Sequence, residues 1–233
     1  MRQIVLDTET TGLEPSGGHR IIEVGCVELI NRKPTGKTYH RYVNPQRDID
    51  AEAVEVHGIT KEFLADKPLF ADIVHEFQAF IRGAELVIHN APFDVGFMNH
   101  EFALCRSEIS KVSDICSVVD TLVLARQLHP GQKNNLNALC RRYGIDNSKR
   151  ELHGALLDSE ILADVYLFMT GGQTSLMLGQ GDGGGEVSAV TSATAAQYQL
   201  VVQEASAAEL EQHEAMLNLV DKKSGGSVWR NIS

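Results

Sequence analysis

The sequence predicts an α/β domain built on a mixed β-sheet flanked by helices. Three early segments, 3–6, 21–30 and 39–43, are rich in β-branched residues and alternate apolar with polar positions, as strands do. Farther along, helical periodicity surrounds a short apolar run at 86–89, which is typical of a buried strand. Strands followed by alternating helices and strands favour a mixed sheet. The predicted helices span 72–81, 93–104, 121–128, 136–143 and 159–168.

The composition of the chain changes near residue 171. Residues 171–197 are rich in Gly, Ser, Thr and Ala and contain few bulky apolar side chains after Leu178, which is typical of a flexible linker. We therefore predict a folded domain at 1–170, a linker at 171–198 and a C-terminal tail at 199–233.

The tail contains one segment with the signature of a short helix. Ser206 and Glu209 form the S-x-x-E pattern of a capping box, which stabilises a helix N-terminus. We expect Gly225 to end the helix, because glycine is common just after the last turn. The apolar face of the predicted helix consists of Leu210, Leu217 and Val220.

Charge and hydrophobicity restrict the class of protein. The net charge is −10 and 43% of the residues are hydrophobic, within the range of ordinary globular proteins. No apolar run approaches the roughly 20 residues that cross a bilayer, and the segment MRQIVLDTET reaches carboxylates too early for a signal peptide. We therefore expect a cytoplasmic protein that does not contact membranes. Because so acidic a chain holds DNA poorly by itself, it is either an enzyme for other substrates or a nuclease that partners carry to DNA.

The first candidate site is DTETTG at 7–12. Asp7 and Glu9 lie two residues apart at the end of a strand, so their side chains point to the same face. Neighbouring carboxylates repel each other unless one is protonated or a divalent cation lies between them. Taken alone, the pattern favours a polar strand end that leads into a glycine turn.

A second acidic motif is HNAPFD at 89–94. Asn90 and Pro92 favour the start of a helix, which places Asp94 in the first turn, where the helix dipole stabilises an anion. By itself Asp94 needs no other role. Strand-to-helix junctions are nevertheless where open α/β sheets carry their sites. We expect His89 and Asn90 to support Asp94 structurally.

The third motif is HGALLDSE at 153–160. His153 and Asp158 are five residues apart, which on one helix separates them by roughly 140°. If both residues serve one site, His153 must lie at or before the start of the helix and Asp158 inside it. Gly154 makes such a transition easy. A lone histidine is more often structural or solvated than catalytic.

Taken together, the three motifs indicate hydrolysis of phosphodiesters. Four carboxylates without thiolates are hard oxygen ligands suited to Mg²⁺ or Mn²⁺. Two such ions can clamp the attacking water and the leaving oxygen of a phosphodiester. A histidine of ordinary pKa can take the proton of that water at neutral pH.

DTETTG, HNAPFD and HGALLDSE, in this order, resemble the three motifs of the DEDDh exonucleases, which share a ribonuclease H-like fold with a five-stranded mixed sheet. The resemblance implies that Asp7, Glu9, Asp94 and Asp158 ligate two divalent cations and that His153 is the general base. Tyrosine-type relatives carry Tyr where this chain has Gly154, so His153 identifies the subfamily. KNNLNALCRRYGI at 133–145 is similar to a further helix of the family.

Within the family, the chain is most similar to the 3′→5′ exonucleases that proofread for bacterial replicative DNA polymerases. VHGIT at 56–60 resembles the segment of those enzymes beside the bound nucleotide. The resemblance implies that Glu52 and His57 bind the DNA 3′ terminus together with Asp7, Glu9 and Asp158. The alternative is a DEDDh exoribonuclease that trims RNA 3′ ends, which the catalytic motifs alone do not exclude.

Two segments after the domain resemble partner-binding sequences. QTSLML at 173–178 is similar to the clamp-binding motif of bacterial replication proteins, with Gln173 at a pocket rim and apolar residues in a groove. The groove residues are Leu176, Met177 and Leu178. The tail, with Val228 and the aromatic anchor Trp229, is expected to bind the catalytic (alpha) subunit of the polymerase, and the hexapeptide to bind the sliding clamp (beta). An independent RNA-trimming enzyme needs neither segment.

Overall fold

The computed structural model describes residues 1–148, 150, 152–171, 205–224 and 228–231. The chain divides into two compact units, Met1–Leu176 and Met177–Ser233. Apart from Gly171, the predicted linker at 171–198 lies outside the described residues. The predicted clamp-binding residues, Gln173, Leu176, Met177 and Leu178, lie outside them too.

The first unit contains the mixed sheet of five strands that the sequence predicts. The strands are β1 (Arg2–Thr10), β2 (Ile21–Ile30), β3 (Lys33–Tyr42), β4 (Glu85–Ile88) and β5 (Ser117–Asp120). Their order across the sheet is β3-β2-β1-β4-β5. The strands β1, β2 and β3 form antiparallel pairs, whereas β4 runs parallel to β1 and β5 parallel to β4. The fold class is confirmed.

Helices cover both faces of this sheet. The helices of the first unit are α1 (Ala51–His57), α2 (Lys61–Leu64), α3 (Phe70–Ile81), α4 (Ala91–Leu104), α5 (Thr121–Leu128), α6 (Leu136–Tyr143) and α7 (Ala155–Gly171). Short 3-10 turns occur at Pro15–Gly17 and Val112–Asp114. None of the described helices is both long and apolar enough to cross a membrane.

Alternation along β1 assigns its side chains to two cores. Ile4 and Leu6 belong to a cluster with the aromatic residues of α3 and α4. Val5 belongs to a second cluster with apolar residues of α5, α6 and α7. Because successive side chains of a strand point to opposite faces, the odd residues of β1 face α7 and the even residues face α4. This assignment decides where the polar residues at the end of the strand point.

Each predicted segment overlaps an observed element, but several boundaries were wrong, and the predicted strands at 39–43 and 86–89 each run one residue too far. The helices at 121–128 and 136–143 match α5 and α6. β1 continues to Thr10, and α7 runs from Ala155 to Gly171, well beyond the predicted 159–168. β3 begins at Lys33, six residues before the prediction, because Lys33–Thr38 is an exposed part of an edge strand without apolar alternation. His89, which we predicted to end a strand, lies just after β4.

Three short elements were missed. The helices α1 and α2 and the strand β5 are four to seven residues long, too short for a clear period. Val118 of β5 is exposed, since this strand is at the edge of the sheet. Their stability comes from contacts with distant residues and not from a local pattern.

The second unit contains α8 (Ala207–Ser224) and a 3-10 turn at Val228–Asn231. The predicted capping box is present: the backbone N–H of Ser206 donates to Glu209 Oε2 at 2.8 Å, and the N–H of Glu209 donates to Ser206 Oγ at 3.4 Å. Leu210 of the predicted apolar face is 54% exposed and Trp229 is 67% exposed. The predicted stop, Gly225, lies outside the described residues.

Candidate active site

The carboxyl end of β1 places the first two carboxylates. Asp7 and Glu9 share the face of β1 that is turned toward α7, because Val5 packs in the core formed by α7. Glu9 is buried. In the antiparallel register, Asp7 lies opposite Gly25 of β2. Because α7 crosses β2 at Gly25, this pairing brings Asp7 beside α7.

Gly25 lets the first turn of α7 lie directly on the sheet. A Cβ atom at this position would come within 2.2 Å of the backbone of Ala155 and Leu156. Ser159 Oγ donates to the carbonyl oxygen of Gly25 at 2.9 Å, and the N–H of Ala155 donates to Glu23 Oε2 at 3.2 Å. These contacts hold the N-terminus of α7, and therefore Asp158, against the strand pair that carries Asp7.

His153 lies two residues before α7, in the position that the spacing to Asp158 predicts. Its backbone N–H donates to the carbonyl oxygen of Val56 in α1 at 3.1 Å. A Cβ atom on Gly58, which ends α1 with a left-handed φ of 71°, would lie 2.6 Å from Leu152 Cδ1. α1, which the sequence analysis missed, is thus the support of the histidine.

Asp94 lies in the first turn of α4, as predicted, and is buried. Thr8 Oγ1 donates to Asp94 Oδ1 at 2.7 Å. Thr8 points to the α4 side of β1, opposite to Asp7 and Glu9, so one strand contributes to both halves of the site. Burial raises the pKa of Asp94 to about 7, and the hydrogen bond from Thr8 acts in the opposite direction.

The turn before α4 contains His89 and Asn90. His89 Nδ1 lies 2.9 Å from Thr121 Oγ1, and the N–H of Asn90 donates to Asp120 Oδ1 at 3.2 Å. Asn90 has a left-handed φ of 70°, and its side chain does not cap the helix. Both residues tie this turn to the start of α5. The direct partner of Asp94 is Thr8, for which the sequence offered no signal beyond its place between two acidic residues.

The carboxylates of the site are held in an unfavourable electrostatic environment. The pKa of Asp7 is raised well above its usual value, first by burial and then by the charges of Asp94 and Glu9. The pKa of Glu9 is raised to about 8, again by burial and then by Asp158. Such shifts mean that the ionised forms need additional positive charge nearby.

Arg150 is the functional residue that the sequence analysis missed. Its guanidinium donates to both carboxylate oxygens of Asp158, through Nε to Oδ1 and through Nη2 to Oδ2 at 2.7 Å. Nη2 also lies 2.9 Å from His153 Nδ1, and Nη1 donates to Asn137 Oδ1 at 2.9 Å. Arg150 stands in a run of charged residues, KRE at 149–151, where nothing distinguishes it from a solvated side chain.

The residues present fit divalent cations. Ligand atoms of Glu9, His153 and Asp158 all lie within 4.8 Å of one another. Glu9 Oε1 is buried and has no hydrogen-bond partner, and carboxylate oxygens are the ligands that Mg²⁺ and Mn²⁺ prefer. Glu9, His153 and Asp158 line a cavity of about 530 Å³, which we call the active-site pocket. Asp7, Asp94 and Arg150 line this pocket too.

A second cavity of about 510 Å³, the terminal pocket, adjoins the active-site pocket and shares Glu9 and Phe93 with it. Glu52 and His57 line this pocket. The Nδ1 atom of His57 accepts a hydrogen bond from the N–H of Ile59 at 3.0 Å, whereas its buried Nε2 atom has no partner. Burial lowers the pKa of His57, so the ring is neutral at pH 7. Both predicted substrate residues therefore line the same cavity as Glu9.

Buried carboxylates at the end of β1 and in the first turn of α4, together with Asp158 of α7, fit the metal-dependent phosphodiester hydrolases. A family model described as Exonuclease matches residues 4–166, which include every carboxylate of the site. The chain is 55% identical over 236 residues to the DNA polymerase III subunit epsilon of Salmonella typhimurium, with 98% of this chain and 97% of the relative covered. Identity to the Escherichia coli subunit is 52% over 241 residues, with the same coverage. The chain belongs to this exonuclease family and, within it, to the DNA polymerase III epsilon subunits.

The solved structure of exonuclease X in complex with 5′ overhanging duplex DNA has the same fold. Its TM-score is 0.57 at 28% sequence identity, with 72% of this chain and 91% of that chain covered. The family assignment confirms the predicted 3′→5′ proofreading exonuclease and implies that divalent metal ions take part in its chemistry.

Proposed function

We propose that this enzyme removes mismatched 3′-terminal nucleotides from DNA with two divalent cations, Mg²⁺ or Mn²⁺, held by Asp7, Glu9, Asp94 and Asp158. The observation that carries this proposal is the convergence of these four carboxylates in one pocket, where burial raises the pKa of three of them. When bound, the two ions supply positive charge for the attacking water and the leaving oxygen of the scissile phosphodiester.

His153 is the proposed general base. Its side chain is 44% exposed, so water in the active-site pocket can reach it. Burial of the ring and the charge of Arg150 lower its pKa, which keeps the imidazole neutral and able to accept a proton at pH 7. The backbone hydrogen bond to Val56 fixes the position from which the ring enters the pocket.

The terminal nucleotide is proposed to occupy the terminal pocket. Glu52 lies on its exposed rim, and His57 presents an unpartnered ring nitrogen at its buried side. Phe93 and Leu13 provide apolar surface at the boundary with the active-site pocket. A nucleoside placed there would put its 5′ phosphate next to Glu9, within reach of Asp7 and Asp158.

Selectivity for mismatches is proposed to arise from melting of the primer end. With a net charge of −10 the chain is poorly suited to bind duplex DNA by itself, so it acts on ends that fray and on DNA to which partners deliver it. The proposed partners are the alpha subunit of DNA polymerase III, bound by the tail, and the beta sliding clamp, bound by residues 173–178. Linking modules in this way raises the local concentration of the substrate. The proposed location is the cytoplasm.

The decisive experiment compares three substrates that share one sequence: DNA with a mismatched 3′ end, DNA with a paired 3′ end, and single-stranded RNA. Mononucleotide release is followed with Mg²⁺, with Mn²⁺ and with chelator. We expect the mismatched DNA to be degraded fastest and the chelator to abolish release. Faster hydrolysis of RNA would identify an RNA-trimming enzyme, and equal rates on paired and mismatched ends would refute selection by melting.

Partner binding is tested separately from catalysis. In the full chain, Gln173→Ala combined with Leu176→Ala should weaken binding to the sliding clamp, and Trp229→Ala should weaken binding to the alpha subunit. An aromatic anchor of this kind contributes about 2 kcal/mol or more to an interface. Surface plasmon resonance measures both affinities, and each variant is the control for the other. If a variant bound the partner assigned to its segment with unchanged affinity, that assignment would be contradicted.

A further inference from the structure

A third cavity continues the active-site pocket on the side away from Glu52. It has a volume of about 620 Å³ and shares His89, Asn90 and Asn135 with the active-site pocket. Arg126 and Lys133, both exposed, line it. We call this cavity the basic groove.

The basic groove differs in charge from its two neighbours. The active-site pocket contains four carboxylates, and acidic residues such as Glu14 and Asp50 line the terminal pocket. No acidic residue is among those that line the basic groove. Within the described part of the chain, neither Arg126 nor Lys133 forms an ion pair with a carboxylate. Asp120 lies close by, but its Oδ1 atom accepts hydrogen bonds from the N–H groups of Asn90, Leu122 and Val123. Arg126 and Lys133 are therefore two exposed cations without an acidic partner among the residues that the structure describes, and they are available to an anion from solution.

The wall of the basic groove is held in place by hydrogen bonds. Arg142 Nη1 donates to Asn134 Oδ1 at 3.1 Å, and Nη2 donates to the carbonyl oxygen of Lys133 at 3.0 Å. The buried Asn134 side chain donates through Nδ2 to the carbonyl oxygens of His129 and Gln132. The backbone that carries Lys133 is therefore fixed from both sides, although the ammonium group itself is exposed.

The active-site pocket adjoins both other cavities, which share no lining residue with each other. The terminal pocket joins the active-site pocket at Glu9 and Phe93, and the active-site pocket joins the basic groove at His89, Asn90 and Asn135. A polynucleotide whose last nucleoside is in the terminal pocket has its scissile phosphate among the carboxylates. The remaining strand must then leave the active-site pocket, and the basic groove is the exit that offers positive charge.

We propose that the basic groove binds the phosphates of the nucleotides on the 5′ side of the scissile bond, with Arg126 and Lys133 as the charged contacts. Guanidinium and ammonium groups are the side chains that bind phosphate oxygens most strongly. The contacts are made to the backbone and are independent of base sequence. The inference rests on the proposed function, because that function places the terminal nucleotide.

The test compares the double variant Arg126→Ala/Lys133→Ala with the matched double variant Arg141→Ala/Lys111→Ala. The control removes the same two charges from exposed positions that do not line the three cavities. Substrates are single-stranded DNA from dinucleotide to hexanucleotide, and the nitrophenyl ester of thymidine 5′-monophosphate, which has no upstream phosphates.

For the longer substrates we expect KM of the groove variant to rise roughly tenfold with kcat unchanged, because phosphate contacts position the strand without taking part in the chemistry. Each phosphate contact on a single strand contributes about 0.7 to the slope of log KM against log salt concentration. Loss of two contacts should therefore reduce this slope by about 1.4. Kinetics on the nitrophenyl ester should not change.

Equal KM values for the groove variant and the control variant would overturn the proposal. An equal loss on the nitrophenyl ester would also overturn it, since that result places the effect in the active-site pocket. A wild-type enzyme that released no mononucleotides from DNA would defeat the proposed function instead. In that case anisotropy of the same labelled oligonucleotides with chelator present decides on the groove: weaker binding by the groove variant than by the control supports it, and equal binding refutes it.

Discussion

Two regions of the exonuclease unit bury carboxylates in opposite ways. Glu101 of α4 is fully buried, and it accepts hydrogen bonds from Arg20 Nε and Nη2 at 2.7 Å each and from the N–H of Ile21 at 3.1 Å. In the active-site pocket, Asp7 and Glu9 are held near other carboxylates, and their pKa values are raised. Both regions bury carboxylates, but only Glu101 has a hydrogen-bond donor for each of its oxygens, whereas the buried Glu9 Oε1 has no partner.

The difference shows where the fold leaves charge uncompensated. A buried ion pair with good geometry holds β2 and α4 together at Glu101. Arg150 in the active-site pocket binds Asp158 and reaches His153, but no hydrogen bond joins it to Asp7 or Glu9 among the described contacts. The remaining negative charge destabilises the protein and at the same time creates affinity for divalent cations.

The largest effect is expected from Asp7→Asn. Removing a proposed metal ligand should lower metal-dependent kcat on the order of a thousandfold. Metal ions stabilise the transition state by several kcal/mol, and each 1.36 kcal/mol corresponds to about a factor of ten in rate. The thermal midpoint with chelator should not fall, because a repelled carboxylate is removed. Mononucleotide release and thermal unfolding measure the two quantities. Retained activity would show that Asp7 is not part of the site.

Glu101→Gln should have the reverse profile. It leaves the buried end of Arg20 without its counter-charge, so we expect a loss of about 3 kcal/mol in the free energy of unfolding. Metal affinity, measured by calorimetry with Mn²⁺, should stay unchanged. If this variant weakened metal binding while keeping its stability, the contrast between the two regions would be wrong.

The third prediction concerns Arg150, the arginine that lines the active-site pocket, and its substitution Arg150→Gln. Asp158 loses its bidentate partner, so the free energy of unfolding of the metal-free protein, measured with chelator, should fall by roughly 2 kcal/mol. Mn²⁺ should bind several-fold more tightly, because a positive charge has left the site and the oxygens of Asp158 are released. Arg141→Gln, an exposed position of α6, serves as the control. Weaker Mn²⁺ binding would instead mean that Arg150 orients the ligands for the ion.

The smallest effect is a pH dependence of stability without metal. Glu9 has a folded-state pKa of about 8, above its usual value of 4.5, so its protonated form is favoured by folding. This contribution is complete below pH 4.5 and is lost as the pH rises toward 8. The thermal midpoint with chelator should fall by a few degrees for each pH unit within this window, at about 1.36 kcal/mol per unit, and less in Glu9→Gln. Added Mn²⁺ should raise the midpoint more at the upper end. An identical slope in Glu9→Gln would contradict the assigned shift.

Much of the core architecture follows from local patterns. β1 and β2 are visible in the sequence through their β-branched and apolar residues, and α5 and α6 through the period of one apolar face. β5 and α1 were missed because each is short and largely exposed, and only contacts with distant residues stabilise them. The boundaries of β3 and α7 were wrong for a related reason, since an exposed edge strand and a largely buried helix both show little contrast between two faces.

The sequence by itself determined the candidate residues, because Asp7, Glu9, Asp94, His153 and Asp158 lie in three compact motifs whose residue types indicate one chemistry. Only the tertiary structure decided which residues surround them. Thr8 reaches Asp94, Gly25 admits α7, and Arg150 binds Asp158. Most of these contacts join residues far apart in the chain, and the strength of each depends on burial. The spacing of residues along the chain predicts neither these contacts nor how deeply the residues are buried. Both arise only when the sheet and its helices have assembled.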